Sequence, residues 1–286
     1  MSAMILDGKA VAETVKADVA TRVAALNERG ISVGLATVLV GEDPASHVYV
    51  RSKRRTAEAT GINSFHHELP ADTPQRDIEA LIEQLNADPA VDGILVQLPL
   101  PQGLDSDRIT ELIDPSKDAD GLHPFNLGLL VLGRDGLTPC TPTGVLRILE
   151  HYGIEISGKN VVIVGRSFLV GRPQALLMIQ KGADATVTIA HSRTKDLAAV
   201  CRGADIIVAA VGVPKLIGAG HVSPGAVVID VGINRTDEGL VGDVDFDAVE
   251  EIASAITPVP GGVGPMTVAM LMHNTVTAAE WRATGR

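Results

Sequence analysis

Helical and strand patterns alternate along nearly the whole chain, which predicts an α/β protein built as two α/β domains with a cleft between them, the second a doubly wound parallel sheet. Three observations carry this. Residues 161–164 (VVIV) are apolar without alternation, the mark of a strand buried on both faces of a parallel sheet. That strand runs through Gly165 into Gly171-Arg172-Pro173, where a proline sits in the first turn of a helical pattern. Beyond residue 159 strands and helices then repeat at short intervals to about residue 257. A chain of 286 residues is long enough for two domains, each with its own core.

In order, residues 8–28 place Val11, Val15, Val19, Val23 and Leu26 at helical spacing, with Gly30 as the stop. Residues 33–40 read as a strand. Asp43-Pro44 supplies a cap and first turn for a helix closed by Gly61, and Tyr49 and Lys53 lie four apart on it. Residues 62–69 and 93–98 read as further strands, separated by a helix from Thr73-Pro74 to about Asn86. Residues 114–144 are rich in Pro, Asp and Gly and read as a long irregular segment, of the kind that is usually functional. A helix from Thr141-Pro142 to about Tyr152 is expected to bridge the domains. The second domain then has strands at 160–165, 185–190, 205–210, 226–231 and near 255–257, with helices at 172–181 and 194–202. The run TPVPGGVGP (257–265) turns sharply and can lie close to a ligand. A final helical stretch, 266–286, completes the first domain, so the expected division is 1–140 with 266–286, and 141–265.

Composition narrows the function classes. Net charge is −11, from 35 acidic and 24 basic residues, which argues against nucleic acid or an anionic membrane as partner. Cys140 and Cys201, the only cysteines, lie far apart without metal-ligand spacing, which suits a reducing compartment and no disulfide framework. Asp7 and Lys9 interrupt the N-terminal apolar residues, so no signal peptide is expected, and no apolar run approaches ~18 residues. The expectation is a soluble cytoplasmic protein with an aliphatic core.

A strand, a glycine turn and a helix start present free backbone N–H groups to a phosphate. Here the spacing is G-x-S-x-x-x-G-x-P, and the alternative is an ordinary βα turn without a ligand. In such a sheet an acid at the end of the second strand favours NAD, while a nearby Arg accommodates the NADP phosphate. The second strand here runs into His191-Ser192-Arg193-Thr194, with no carboxylate, and Arg166 lies in the first turn. Solvated surface arginines are the plain alternative, but the missing acid and the present Ser and Arg agree on NADP.

Tyr49 and Lys53 could be mere helical neighbours. Lys53, however, lies within Arg51-Ser52-Lys53-Arg54-Arg55, and like charges together with partial burial are expected to disfavour its charged form, leaving an amine able to relay protons. Short-chain dehydrogenases also carry Tyr-x-x-x-Lys, but there the glycine turn comes first; here it comes more than a hundred residues later.

Seven blocks, PASHVYVRSKRRTAEATGI (44–62), DGILVQLPLP (92–101), KDADGLHPFN (117–126), PCTPTG (139–144), GRSFLVGRP (165–173), VVIDVGINR (227–235) and TPVPGGVGPMTVAML (257–271), together resemble the methylenetetrahydrofolate dehydrogenase/cyclohydrolase family. The resemblance spans almost the whole chain. It implies an NADP-dependent oxidation of 5,10-methylenetetrahydrofolate followed by hydrolysis to 10-formyltetrahydrofolate, in a homodimer that needs no metal. By motif it makes Lys53 the general acid/base, Tyr49 its neighbour against the folate and Gln97 the hydrogen-bond partner of the lysine. Asp120 anchors the pterin, with Ser46, Pro260, Gly261 and Gly262 on the folate side. Gly165, Arg166, Ser167, Gly171, Pro173, Ser192, Arg193 and Ile233 fall on the cofactor side. A carboxylate such as Asp120 is an apt acceptor for the N–H edge of a pterin, although Asp is also common as a loop cap in D-x-D-G turns. Gln97 could equally be a buried amide bonded to backbone. Two departures stand out: Ala119 in place of a more usual Val, and Leu129 in place of an Arg, which removes a cation and is expected to affect cofactor affinity or dimer contacts. A dehydrogenase for another small substrate and a non-enzymatic nucleotide sensor are the competing classes; a folate-binding titration and an absorbance assay separate them.

Overall fold

The structure, a computed structural model, describes residues 2–237 and 239–286. In chain order its elements are β1 (Met4–Ile5), α1 (Gly8–Glu28), β2 (Gly34–Val40), α2 (Pro44–Ala59), β3 (Asn63–Leu69), α3 (Gln75–Ala87), β4 (Gly93–Val96), α4 (Ser106–Glu111) and α5 (Pro124–Val131). There follow α6 (Cys140–His151), β5 (Asn160–Val164), α7 (Gly171–Met178), β6 (Thr186–Ala190), α8 (Leu197–Arg202), β7 (Ile206–Ala209), β8 (Val227–Asp230), β9 (Asn234–Thr236), β10 (Gly239–Val241), α9 (Phe246–Glu250), β11 (Ala255–Ile256) and α10 (Val263–Thr284). Two compact units result. One comprises the chain up to Ala12, Leu130–Gly133 and Pro139–Thr267; the other Glu13–Leu129, Arg134–Thr138 and Val268–Arg286.

The second of these is built on a three-stranded parallel sheet in the order β3-β2-β4. All seven residues of the central strand β2 are buried, as expected of a strand covered on both faces. Ala36, Val38 and Val40 share one face by the two-residue alternation and pack with Ile78, Ile82 and Leu85 of α3 and with Ile109 and Ile113. α2 starts where Asp43 caps it, its carboxylate accepting from Ser46 N at 2.8 Å, and ends at Thr60-Gly61, where Gly61 has φ +80°.

The other unit holds a six-stranded parallel sheet in the order β1-β11-β8-β7-β5-β6. The chain moves from β5 outward to β6 and then returns past β5 to β7, so the topological switch point lies between β5 and β7. The core is aliphatic, with Val162, Val164, Ile207, Val228 and Ile256 in one cluster.

Differences from expectation lie mainly in the short elements. The segment 114–144 is less irregular than its composition suggests: it contains α5, whose Phe125, Leu129 and Leu130 follow the proline of a first turn. α6, expected as a bridge, falls wholly inside the six-stranded unit. Residues 2–12 also belong there, because β1 pairs with β11. The strand expected to reach Leu98 ends at Val96. Among the described residues no helix is long and apolar enough to cross a membrane.

Candidate functional site

On α2 the buried positions are Ser46, Val50, Lys53 and Ala57, a stripe at spacings of four and three. Helical periodicity therefore puts a lysine on the face turned to the sheet, and Lys53 is only 7% exposed. Its Nζ donates to Gln97 Oε1 at 2.9 Å. Gln97 follows β4 directly; its backbone N–H extends the sheet by one more bond, to Val38 O at 2.9 Å, and its Nε2 donates to Leu98 O at 2.6 Å. With the amide nitrogen so engaged, the carbonyl oxygen is left for the lysine. The pair thus lies at the C-terminal edge of the parallel sheet, where α/β proteins take ligands. Tyr49, one turn before Lys53, is 40% exposed, whereas Ser46 is buried.

The arginines do not do what the sequence suggests. Arg51, Arg54 and Arg55 stand two or fewer positions from Lys53, and residues so spaced do not face one another on a helix. Arg51 and Arg55 instead line a surface groove with Glu13, Lys16, Val48, Ser52, Thr56 and Ala59. Like-charge crowding of Lys53 is not what this helix provides; its setting is made by burial and by Gln97.

In the D-A-D-G turn the two carboxylates divide the work. Asp118 is buried, and its oxygens accept from Gly121 N at 3.1 Å, His123 N at 2.8 Å and Asn126 Nδ2 at 2.9 Å. Burial holds its carboxyl above the usual range against those bonds. Asp118, then, is the loop cap, and among the described residues no hydrogen bond is made to the half-buried carboxylate of Asp120. Asn274 of α10 fixes the same turn from behind, Nδ2 donating to Ala119 O at 3.0 Å and Thr138 O at 2.8 Å. Ala119 is fully buried, and a Cβ at Gly93 would come within 3.1 Å of its side chain, so a larger residue at 119 would press on β4. Leu129, the other departure, lies half-buried against Gly136. Asp118, Asn126 and Asn274 were not among the expected site residues.

In the six-stranded unit the turn after β5 is tight. A Cβ on Gly171 would strike the carbonyl of Gly165, and one on Gly165, at φ +125°, the carbonyl of Ala210, so only glycine fits at either position. Three backbone donors at the end of the turn are engaged by Ser167: Oγ accepts from Val170 N at 3.1 Å and Gly171 N at 3.3 Å, and its carbonyl from Arg172 N at 3.1 Å. An anion here meets the earlier part of the turn and its side chains. Arg166 and Ser167 are exposed and Pro173 is buried in the first turn of α7. Because Val164 pairs with Ala190, Arg166 and Ser192 emerge two residues beyond matched positions of adjacent strands, with Arg193 next. Ser192 and Arg193 are exposed, and their turn is held by His191 and Thr194, which exchange bonds of 2.8 and 2.9 Å. Ile233, after β8, is 44% exposed. The run 257–265 folds back so that Gly262 N donates to Pro258 O at 2.8 Å and Gly261 O accepts from Lys9 N at 3.1 Å, leaving Pro260 exposed. This unit therefore has the close-packed glycine turn, basic side chains and acid-free second strand that a phosphorylated dinucleotide requires.

A doubly wound nucleotide-type unit and a second α/β unit with a buried lysine at its sheet edge define a two-unit α/β enzyme architecture. Residues 6–120 match the family model of the tetrahydrofolate dehydrogenase/cyclohydrolase catalytic domain, and residues 139–283 that of the NAD(P)-binding domain. The chain belongs to the tetrahydrofolate dehydrogenase/cyclohydrolase family. It is 59% identical over 281 residues to the bifunctional protein FolD 2 of Frankia alni, covering 98% of this chain and 97% of that one. Identity to the bifunctional protein FolD of Maridesulfovibrio salexigens is 55% over 277 residues, 96% of this chain and 97% of the other. The bifunctional methylenetetrahydrofolate dehydrogenase/cyclohydrolase of Campylobacter jejuni superposes with a TM-score of 0.95 at 47% identity, covering 98% of this chain and all of that one. The Trypanosoma brucei enzyme, solved with NADP cofactor and an inhibitor, gives 0.93 at 41% identity over the full length of both.

Proposed function

We infer that the protein is a bifunctional enzyme of folate metabolism: it oxidises 5,10-methylenetetrahydrofolate with NADP and hydrolyses the resulting methenyl compound to 10-formyltetrahydrofolate. Relatives at 55–59% identity over almost the full length of both chains are named bifunctional FolD proteins, and the Campylobacter jejuni structure, at 47% identity, carries both activities in its name. The observation in this molecule that supports the chemistry best is the buried Lys53 held at 2.9 Å by Gln97.

The folate is assigned to the three-stranded unit and the dinucleotide to the six-stranded one. NADP, when bound, supplies the hydride acceptor. Asp120, its carboxylate not drawn into the loop cap, accepts from the N–H edge of the pterin, with Tyr49 and Ser46 beside it. In the hydrolysis the Lys53 amine takes a proton of the water that adds to the methenyl carbon. As the ring C–N bond breaks, that proton passes to the released nitrogen while the adduct's hydroxyl loses its own proton to solvent and becomes the formyl C=O, and Gln97 keeps the amine aimed throughout. Arg166, Ser167, Ser192 and Arg193 hold the 2′-phosphate side of NADP. Family membership supports three further expectations: a homodimer, a cytoplasmic location, and a product consumed in purine synthesis. Sedimentation at twice the chain mass of 29.8 kDa tests the first.

The decisive assay offers methylenetetrahydrofolate with NADP or NAD and follows reduced cofactor and methenyl absorbance at two wavelengths. NADP is expected to be preferred, and Arg193→Glu to cut that preference about tenfold or more, as loss of a phosphate-binding guanidinium should. An unchanged NADP/NAD ratio places the phosphate elsewhere.

A further inference from the structure

Two buried aspartates in the six-stranded unit have no part in the site described so far. Asp230 ends β8 and Asp243 follows β10; they are 3% and 0% exposed. Asp243 Oδ2 accepts from Val211 N at 2.6 Å and Gly212 N at 2.9 Å, on the exit of β7, while its Oδ1 accepts from Asn234 Nδ2 at 2.9 Å, on the exit of β8. Asp230 in turn accepts from Gly232 N and from Asp243 N, both at 2.9 Å, and from Val244 N at 2.9 Å. The arrangement is reciprocal. A Cβ on Gly242 would overlap the Asp230 carboxylate, and one on Gly232 the Asp243 carboxylate. The sequences D-V-G (230–232) and G-D-V (242–244) are thus two halves of one clamp, each carboxylate seated on the other's glycine. It closes the base of the β9–β10 hairpin and ties it to the loop after β7.

What the clamp fixes is the spacing of two strand exits that carry solvent-exposed apolar side chains, Val213 at 46% and Ile233 at 44% exposure. In a doubly wound sheet a dinucleotide lies across the C-terminal strand ends, one nucleotide on each side of the switch point. Ser192 and Arg193, after β6, mark the side that takes the adenosine phosphate. The β7 and β8 exits are on the opposite side of the switch point and fall to the other nucleotide, whose flat ring suits an apolar seat. Buried carboxylates that bond backbone N–H groups of two loops are a rigid way to hold such a seat.

We propose that Asp243 is a positioning residue for the nicotinamide half of the cofactor, acting through Val211, Gly212 and Asn234 rather than by contact with it. The proposal rests on reading this unit as the NADP-binding one, and its test separates the two. NADP and adenosine 2′,5′-bisphosphate, which lacks the nicotinamide nucleotide, are titrated calorimetrically into the wild type and into Asp243→Asn. The variant is expected to bind NADP about tenfold more weakly and the bisphosphate within about twofold of wild type. Should Asp243→Asn fail to fold, Asn234→Ala removes one of the three bonds and is expected to show the same asymmetry on a smaller scale, about threefold. Equal weakening of both ligands would make the clamp merely structural, and unchanged NADP affinity would deny it any role; either overturns the proposal. A wild type that binds neither ligand would instead refute the cofactor reading.

Discussion

A lysine at 7% exposure stands only where its N–H groups have a partner, and Lys53 has one in the Gln97 carbonyl. The motif made these two residues legible in the sequence; the reason first offered for their chemistry, a ring of arginines, was a one-dimensional impression that helical geometry removes. The same limit hid the division between Asp118 and Asp120. Both read alike as loop acids, and only the fold shows that the first is consumed by Gly121, His123 and Asn126. Asp230 reads as an ordinary strand end, yet burial pushes its carboxyl up to about 6 in spite of three backbone bonds, with the Asp243 charge adding to the rise. Folding therefore raises its proton affinity above that of the unfolded chain. Its penalty on stability is fully present above about pH 6 and is relieved as pH falls toward the unfolded value near 3.8. Asp230→Asn is thus expected to gain on the wild type, by on the order of 1–3 kcal/mol, as pH rises from 4 to 7. Urea unfolding at several pH values measures that difference; a difference that does not change with pH would contradict the shift.

Elements with a strong period were readable: the alternation and apolar runs of β2 and β5 to β8, the caps of α2 and the stripe along α1. Of the shortest elements β11 was expected, near 255–257, but β1, β9 and β10 were not, because β1 owes its existence to pairing with β11, and β9 and β10 to each other, rather than to any local preference. α5 was masked by a Pro- and His-rich start that resembles a turn. α10 was expected as a helix, but sequence pattern gives no sign that Asn274 anchors the D-A-D-G turn or that Arg282 pairs with a buried acid. Asp92, at 2% exposure, receives Arg282 Nε at 2.6 Å and Gly34 N at 3.0 Å. Arg282→Ala would leave that carboxylate with only part of its partners and is expected to cost about 1–3 kcal/mol. Chemical denaturation of the variant, with Arg282→Lys as a partial rescue, measures it; a loss within experimental scatter would show that water replaces the guanidinium.

At the scale of the molecule, the two-part α/β organisation was visible from the glycine turn and from the sequence blocks that run from residue 44 to 271. The exact division was not, since the first residues of the chain close the sheet formed by residues 139–267 and no local pattern announces such a return. The glycine turn reads as tight in the sequence, but the sequence does not show that the Ser167 hydroxyl takes up the N–H groups of Val170 and Gly171 at its far end. On the function proposed here, the hydrolysis depends on one side chain being where the sheet edge puts it. Lys53→Met keeps the length and apolar character of the buried stem while removing the amine, so the variant should remain folded and still bind folate and NADP. Its rate of methenyltetrahydrofolate hydrolysis, followed by loss of the methenyl absorbance, is the most direct test: a fall of about 100-fold or more is expected, and hydrolysis at the wild-type rate would contradict the role given to Lys53.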